Sequence, residues 1–247
     1  MSTTLYDLAG EDPACRFSPF CWRSRLAIAH KELDVETLPW RFTDTERLRF
    51  SGQGKVPVLV DGGRVVADSW AIACWLEDAY PERPSLFGGA GGRAATRFVN
   101  EWADGTLHPQ VARMVVADIL PILAPADRGY FRDSRERRFG MPLEQVPADR
   151  AERVQAFRRE LLHPLQTTLG RQPWLGGDAP SYADHIVLGA FQCARVCSPF
   201  ALLEEADPVA EWRERVLDLH GGLARATPAR SGADGAPDRG TTPGGHA

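Results

Sequence analysis

Lysine is nearly absent from the chain: of its 29 basic residues only Lys31 and Lys55 are lysines, the rest being arginine. That bias fits a high-GC coding sequence and says nothing direct about function. An excess of positive charge is missing too. The formal net charge is −4, so a nucleic-acid-binding surface is not indicated. No apolar run approaches the roughly 20 residues needed to span a bilayer, and the N-terminus lacks the charged-then-apolar pattern of a secretory signal. A soluble, cytoplasmic protein with no membrane partner is therefore expected. Cysteine is scarce and odd in number: Cys15, Cys21, Cys74, Cys193 and Cys197 follow neither a disulfide framework nor a zinc spacing. Cys193 and Cys197 stand one helical turn apart, a spacing open to paired metal ligands, but small buried residues are the commoner reading. Reduced thiols and no metal site are expected.

At 247 residues the chain suits one large domain or two small ones and can bury a core without staples. Its most informative stretch is Arg16-Phe17-Ser18-Pro19-Phe20-Cys21-Trp22-Arg23. Serine is a favoured N-cap, and proline is favoured at the first helical position, so Ser18-Pro19 reads as a helix start. The first four N–H groups of a helix lack intrahelical partners and, with the macrodipole, attract an anion. A serine hydroxyl held there can donate a hydrogen bond to a thiolate.

Before that start, Thr4 to Leu8 is β-prone and Gly10 to Pro13 break the run; after it, Trp22, Leu26, Ala27 and Ala29 share a helical face. Val35 to Trp40 reads as a second strand, and Thr43 to Gly54 as a poorly formed helix and loop. Lys55 to Asp61 is an apolar strand whose Pro57 cannot donate to a ladder, so Pro57 belongs at the strand's first residue and the Val56–Pro57 bond is a cis candidate. A cis bond there would turn the Val56 N–H and C=O outward, able to pair with a peptide. Asp61-Gly62-Gly63 turns into a strand over Arg64 to Ala67, and Asp68-Ser69 then opens a second helix through Leu76. Its orphan N–H groups lie beside polar side chains suited to an α-amino-acid head group.

Pro81 to Pro84 end that helix and Gly88 to Gly92 reads as a linker. Beyond it the period is helical over Arg93 to Leu120, Ala148 to Gly170, Ser181 to Val196 and Pro208 to Ala226. Ser181 with Asp184 forms a capping box. Ala124 to Pro147 is Arg-rich and aperiodic, and reads as a loop with short helical pieces. The tail from Thr227 to Ala247 has too little apolar surface to order itself.

A βαβ unit, a Val-Pro loop, a ββα unit and an all-helical half together resemble the glutathione transferase superfamily. Ser18-Pro19-Phe20-Cys21 looks like the C-P-x-C start of glutaredoxins with serine in place of the first cysteine. Lys55-Val56-Pro57 and Asp68-Ser69 resemble the Val-cis-Pro and acidic-Ser elements that bind glutathione. The run Phe17 to Arg23, with Asp68-Ser69-Trp70-Ala71-Ile72-Ala73, is most similar to bacterial transferases related to the lignin β-etherases, with a weaker likeness to zeta-class isomerases. The resemblance covers Thr4 to about Phe87 in residues and the remainder in architecture.

It implies an α/β thioredoxin-like domain over residues 1–86 and an all-α domain with a substrate-pocket wall over 93–226, while composition makes 227–247 a disordered tail. It also implies a homodimer. Glutathione would bring its thiol to Ser18, the catalytic residue, pair its cysteinyl backbone with Val56 beside Pro57, and meet Asp68 and Ser69 with its γ-glutamyl head. Lys55 and Gln53 would take the glycyl carboxylate. Phe20, Cys21 and Trp22 neighbour the thiol; Cys21 is either a redox thiol or, more in keeping with serine at its partner position, a buried cysteine. Trp102, His108 and Arg113 are implied for the substrate pocket, each with packing or solvent exposure as the plainer reading.

The implied reaction is attack of the glutathione thiolate on an electrophilic, aromatic small molecule, in its sharpest form β-aryl ether cleavage. A zeta-like cis–trans isomerase and a non-catalytic thiol- or partner-binding module stay open, as does another cysteinyl thiol in place of glutathione.

Overall fold

The computed structural model describes residues 3–230. Strand β1 (Thr3–Leu8) lies parallel to β2 (Glu36–Trp40) and antiparallel to β3 (Val58–Asp61), which pairs antiparallel with β4 (Arg64–Ala67), giving the order β2-β1-β3-β4. Parallel neighbours need a long crossover, and helix α1 (Pro19–His30) supplies it between β1 and β2. Pro39 is tolerated within β2 because that strand is an edge, paired with β1 alone. The Val56–Pro57 peptide is cis, and β3 begins only at Val58, since proline has no N–H for the ladder. A short 3-10 helix (Thr45–Ser51) fills the loop before it. Helix α2 (Ser69–Ala79) follows β4 and packs against α1, completing a thioredoxin-like unit.

The second half is all helical. Helix α3 (Ala90–Trp102) starts inside the glycine segment expected as a linker, because a Cβ on Gly92 would come within 1.8 Å of the Phe87 carbonyl oxygen and only glycine lets the chain fold back there. A π-helical turn (Ala103–Leu107) joins it to α4 (His108–Ile119). The segment expected as a loop is instead α5 (Pro125–Phe139), a correction with a clear cause. Proline at its first turn, left-handed Gly140 at its end, basic Arg137 and Arg138 in its last turn and the fork from Arg132 to Glu136 and Glu144 hold a helix that few apolar residues announce.

The expected helix over 148–170 is split into α6 (Arg150–Ala156), a π turn (Phe157–Leu161) and α7 (His163–Leu169), where Pro164 sits in the first turn of the new helix. Helix α9 (Pro208–Gly222) leaves helical geometry at Leu219, His220 and Gly221.

Helix α8 (Tyr182–Cys197) is the spine, with every residue but Arg195 buried, the pattern of a helix enclosed on all sides. It packs against α1, α3, α4 and α9, and its crossing with α1 is close at Gly189, where a Cβ would fall 2.5 Å from the Pro19 carbonyl oxygen. The main apolar cluster therefore runs from Leu5, Leu26 and Ile72 through Ile186 to Trp212, shared by both halves. All five cysteines are free.

The boundary expected at Thr227 also moves: Thr227 is buried, its carbonyl accepts from Arg195, and Arg230 donates to the carbonyls of Asp118 and Cys197. Backbone carbonyls at helix ends, rather than apolar burial, hold these residues. The rest of the expected tail lies outside the described residues.

Asp184, fully buried at the start of α8, completes the capping box with Ser181 and also accepts from the N–H groups of Leu175 (2.8 Å) and Gly176 (3.2 Å) and from the Trp212 indole (2.8 Å). One carboxylate thus ties the loop before α8 to α9. Asp184→Ala strands these donors and should cost about 3 kcal/mol or more, read as a lower urea midpoint with unchanged slope.

Candidate active site

Ser18 caps α1 from an extended backbone (φ −67°, ψ 125°), and its Oγ accepts the Cys21 N–H at 3.2 Å. Having accepted one hydrogen bond, the hydroxyl keeps its own proton to give. Its position is fixed from several sides. The Trp22 indole donates to the Arg16 carbonyl (2.8 Å), Ala9 bridges to Arg16, and Arg16 in turn reaches the Pro13 and Asp7 carbonyls. No acidic residue occupies the first turn of α1, so nothing in the helix competes for the field at its start.

Two later turns stand nearby. The Asp68 N–H donates to the Pro57 carbonyl at 3.3 Å, joining the start of α2 to the cis-proline turn, and Val56 packs in the same apolar cluster as Phe17. Among the described residues neither the N–H nor the C=O of Val56 has a backbone partner. Asp68 caps α2 through Oδ1, which accepts from Trp70 (2.9 Å) and Ala71 (3.0 Å), and it does so at φ 80°, ψ 133°. A non-glycine residue at positive φ is costly and tends to mark a working site. Ser69 is buried, and its carbonyl accepts the Tyr182 hydroxyl (2.7 Å), which anchors this turn to α8. Gln53 and exposed Lys55 lie on the loop just ahead.

Ser18, Pro19 and Phe20 open into a cavity of about 160 Å³ between α1, α4 and α5. Its α4 wall is His108, Val111, Val115 and Ile119; its α5 wall is Phe131, Arg135, Arg138 and Phe139. The His108 ring meets Phe20 edge-on at 5.4 Å. Burial, with help from Arg23 and Arg138, pushes His108 down to about 4, so the ring is neutral at pH 7. Burial also holds Arg135 below the usual arginine value, with Arg138 adding to it, and Arg135 stacks on Phe131 at 4.5 Å. Among the described residues neither Arg135 nor Arg138 forms an ion pair with a carboxylate. The cavity is apolar with two cations at one side.

The other residues picked out in the sequence lie elsewhere. Cys21 is fully buried beside Asp7, and burial first, then Asp7, pushes its thiol well up, against the redox alternative. Trp22 is fully buried in the main core. Trp102 packs against that core outside the cavity, and Arg113 stacks behind Phe139 at 5.8 Å. Of the three pocket residues implied, only His108 lines the space. Phe131, Arg135, Arg138 and Phe139 were missed because α5 was; their spacing of four, three and one residues puts them on one helical face, a signal available between Pro125 and Gly140.

Residues 17–79 match the family described as glutathione S-transferase, N-terminal domain, and residues 94–226 the one described as glutathione S-transferase, C-terminal domain. A zeta-class glutathione S-transferase of Euphorbia esula is 41% identical over 70 residues, 26% of this chain and 31% of that protein. A maleylacetoacetate isomerase of Pseudomonas aeruginosa is 29% identical over 171 residues, 66% of this chain and 71% of the isomerase. The chain spans between 31% and 49% of the length of the plant relatives that it matches at 33% to 41% identity. Among solved structures, the glutathione transferase GSTFuA3 of Phanerochaete chrysosporium superposes with a TM-score of 0.72 at 27% identity, covering 92% of this chain and 94% of that one. Matched in both halves and in the same order, the chain belongs to the glutathione S-transferase family.

Proposed function

We propose that the protein is a glutathione-dependent transferase in which the glutathione thiolate attacks an aromatic electrophile held in the α4–α5 cavity. The observation that carries the reading is Ser18, a helix N-cap that lines that cavity. In this reading Ser18 and the first-turn N–H groups of α1 lower the thiol's affinity for its proton. Val56 pairs with the cysteinyl backbone, Asp68 and Ser69 hold the γ-glutamyl head, and Lys55 and Gln53 meet the glycyl carboxylate. Ser18 forms no covalent bond itself.

The sharper version is β-aryl ether cleavage. The thiolate carbon–sulfur bond forms as the carbon–oxygen bond breaks, and the electron pair leaves with the aryl oxygen as a phenolate. Support comes from Arg135 and Arg138, cations without carboxylate partners in an otherwise apolar wall, suited to a charge that grows only as the bond breaks. The neutral His108 ring adds a donor or acceptor without adding charge.

Ser18→Ala should lower kcat/KM for phenol release by on the order of 10- to 1000-fold, the scale of losing one donor to developing charge, and leave the glutathione KM nearly unchanged. An unaffected rate in a steady-state assay would remove Ser18 from the chemistry. Arg135→Met should cut kcat by about tenfold or more for ethers with poorly acidic phenols and less for nitrophenols, steepening the dependence on leaving-group acidity across a substituted series. A uniform loss across the series would mean that Arg135 only shapes the cavity.

A second reading, cis–trans isomerisation by thiolate addition and loss, is favoured by the 171-residue alignment with the Pseudomonas isomerase. Incubation with glutathione and a cis-enone should then give the trans isomer with no net thiol consumed, whereas the transferase reading predicts a thioether product and stoichiometric thiol loss.

A further inference from the structure

Away from the cavity, three histidines from three helices converge. His30 ends α1, His185 lies in the first turn of α8 and His220 in the broken end of α9, with ring centroids 5.3, 6.0 and 6.2 Å apart. One ring nitrogen from each lies within 4.8 Å of the other two. His30 Nε2 is 3.1 Å from the Ser85 carbonyl oxygen, which can only accept, so Nε2 carries the proton and the buried Nδ1 keeps a free lone pair. His185 is fully buried, and among the described residues neither of its ring nitrogens has a partner. An orphaned buried polar group of this kind normally costs about 1–3 kcal/mol and calls for a cause.

The backbone supplies a second, independent observation. His220 sits at φ 53°, ψ 46°, with Leu219 and Gly221 also out of helical geometry, so α9 gives up its regular path where this ring turns to the other two. Left-handed backbone is uncommon at a non-glycine residue and clusters at functional sites.

We propose that His30, His185 and His220 form a three-histidine site for a divalent transition metal, with zinc the ion its chemistry fits. Three neutral imidazoles with no thiolate or carboxylate among them suit zinc, and three protein ligands leave a fourth position for water or another ligand. The His30 Nε2–H to Ser85 bond is the outer contact that metal-bound imidazoles usually make, fixing the ring and presenting Nδ1. Zn–N bonds of about 2.0–2.1 Å put tetrahedral ligand nitrogens roughly 3.3 Å apart, so the triangle, within 4.8 Å on each side, closes by at most about 1.5 Å, within reach of rotation about the exposed His220 side chain. Because α1 belongs to the sheet half and α8 and α9 to the helical half, the ion would clamp the two together.

The test uses the full chain, without a polyhistidine tag, stripped by chelator and titrated calorimetrically with zinc. One equivalent should bind at micromolar affinity or better and raise Tm. His220→Ala, at an exposed position, should weaken binding at least about 100-fold and abolish the Tm shift, while leaving thioether formation unchanged. His30→Gln should act likewise, and exposed His163→Ala should not. Cobalt in place of zinc should show tetrahedral d–d bands without a thiolate charge-transfer band. No saturable binding at micromolar zinc, binding retained in both His220→Ala and His30→Gln, or a thiolate band from the free cysteines would each overturn the proposal.

Discussion

The first turn of α1 carries backbone N–H groups that no carbonyl of its own helix can reach, and their field attracts an anion only while the protein offers none of its own. The surrounding residues keep that condition. The first turn of α1 has no acidic residue, and the nearest carboxylate on β1, Asp7, is buried and faced by Arg16 (3.4 Å) and Arg25 (3.6 Å). Burial raises Asp7 toward its neutral form while those two arginines oppose it, so the charge left there is largely compensated. Helix α8 then braces the site from below. Its Gly189 admits the Pro19 carbonyl at a distance no side chain would allow, and its Tyr182 holds the start of α2 through the Ser69 carbonyl.

The cavity above that helix start is divided by chemistry. Helix α4 contributes apolar surface and a neutral imidazole, whereas α5 contributes two guanidinium groups and two phenylalanines. Desolvating an arginine without a carboxylate partner is unfavourable, and Arg135 is partly compensated by the faces of Phe131 and Phe42 and by a hydrogen bond that it donates to Ser134 Oγ (3.0 Å). Such a residue is costly to keep in the empty cavity and becomes favourable when negative charge appears beside it. The same logic, with signs reversed, applies to buried His30 and His185, whose ring lone pairs lack a positive partner among the described residues.

How much of this the sequence discloses depends on how local the cause is. Ser18-Pro19, Val56-Pro57 and Asp68-Ser69 could be read directly because a cap or a missing N–H is decided by one or two residues, and the structure has a helix start, a cis bond and a second helix start at those places. Helix α5 offers periodicity only a faint signal, the face of Phe131, Arg135, Arg138 and Phe139, since only Asp127 and Phe131 are buried and eight of its fifteen residues are arginines or acids; its ends encode it more strongly than its middle. Trp102 falls off the cavity because a five-residue π turn, Ala103–Leu107, shifts the helical phase between α3 and α4, and Arg113 because it lies five residues beyond His108 on α4, about 140° round the helix. The histidines are further still from view. They come from positions 30, 185 and 220 on three elements, and no spacing rule joins them.

The most direct test of the central claim is the titration of the bound thiol. Thiolate absorbance of glutathione in complex with the protein, taken as a difference against the protein alone, should titrate at least a unit below the ordinary cysteine value of about 8.5, and Ser18→Ala should move it back toward that value. A bound thiol that titrates like the free one, in both proteins, would contradict the account.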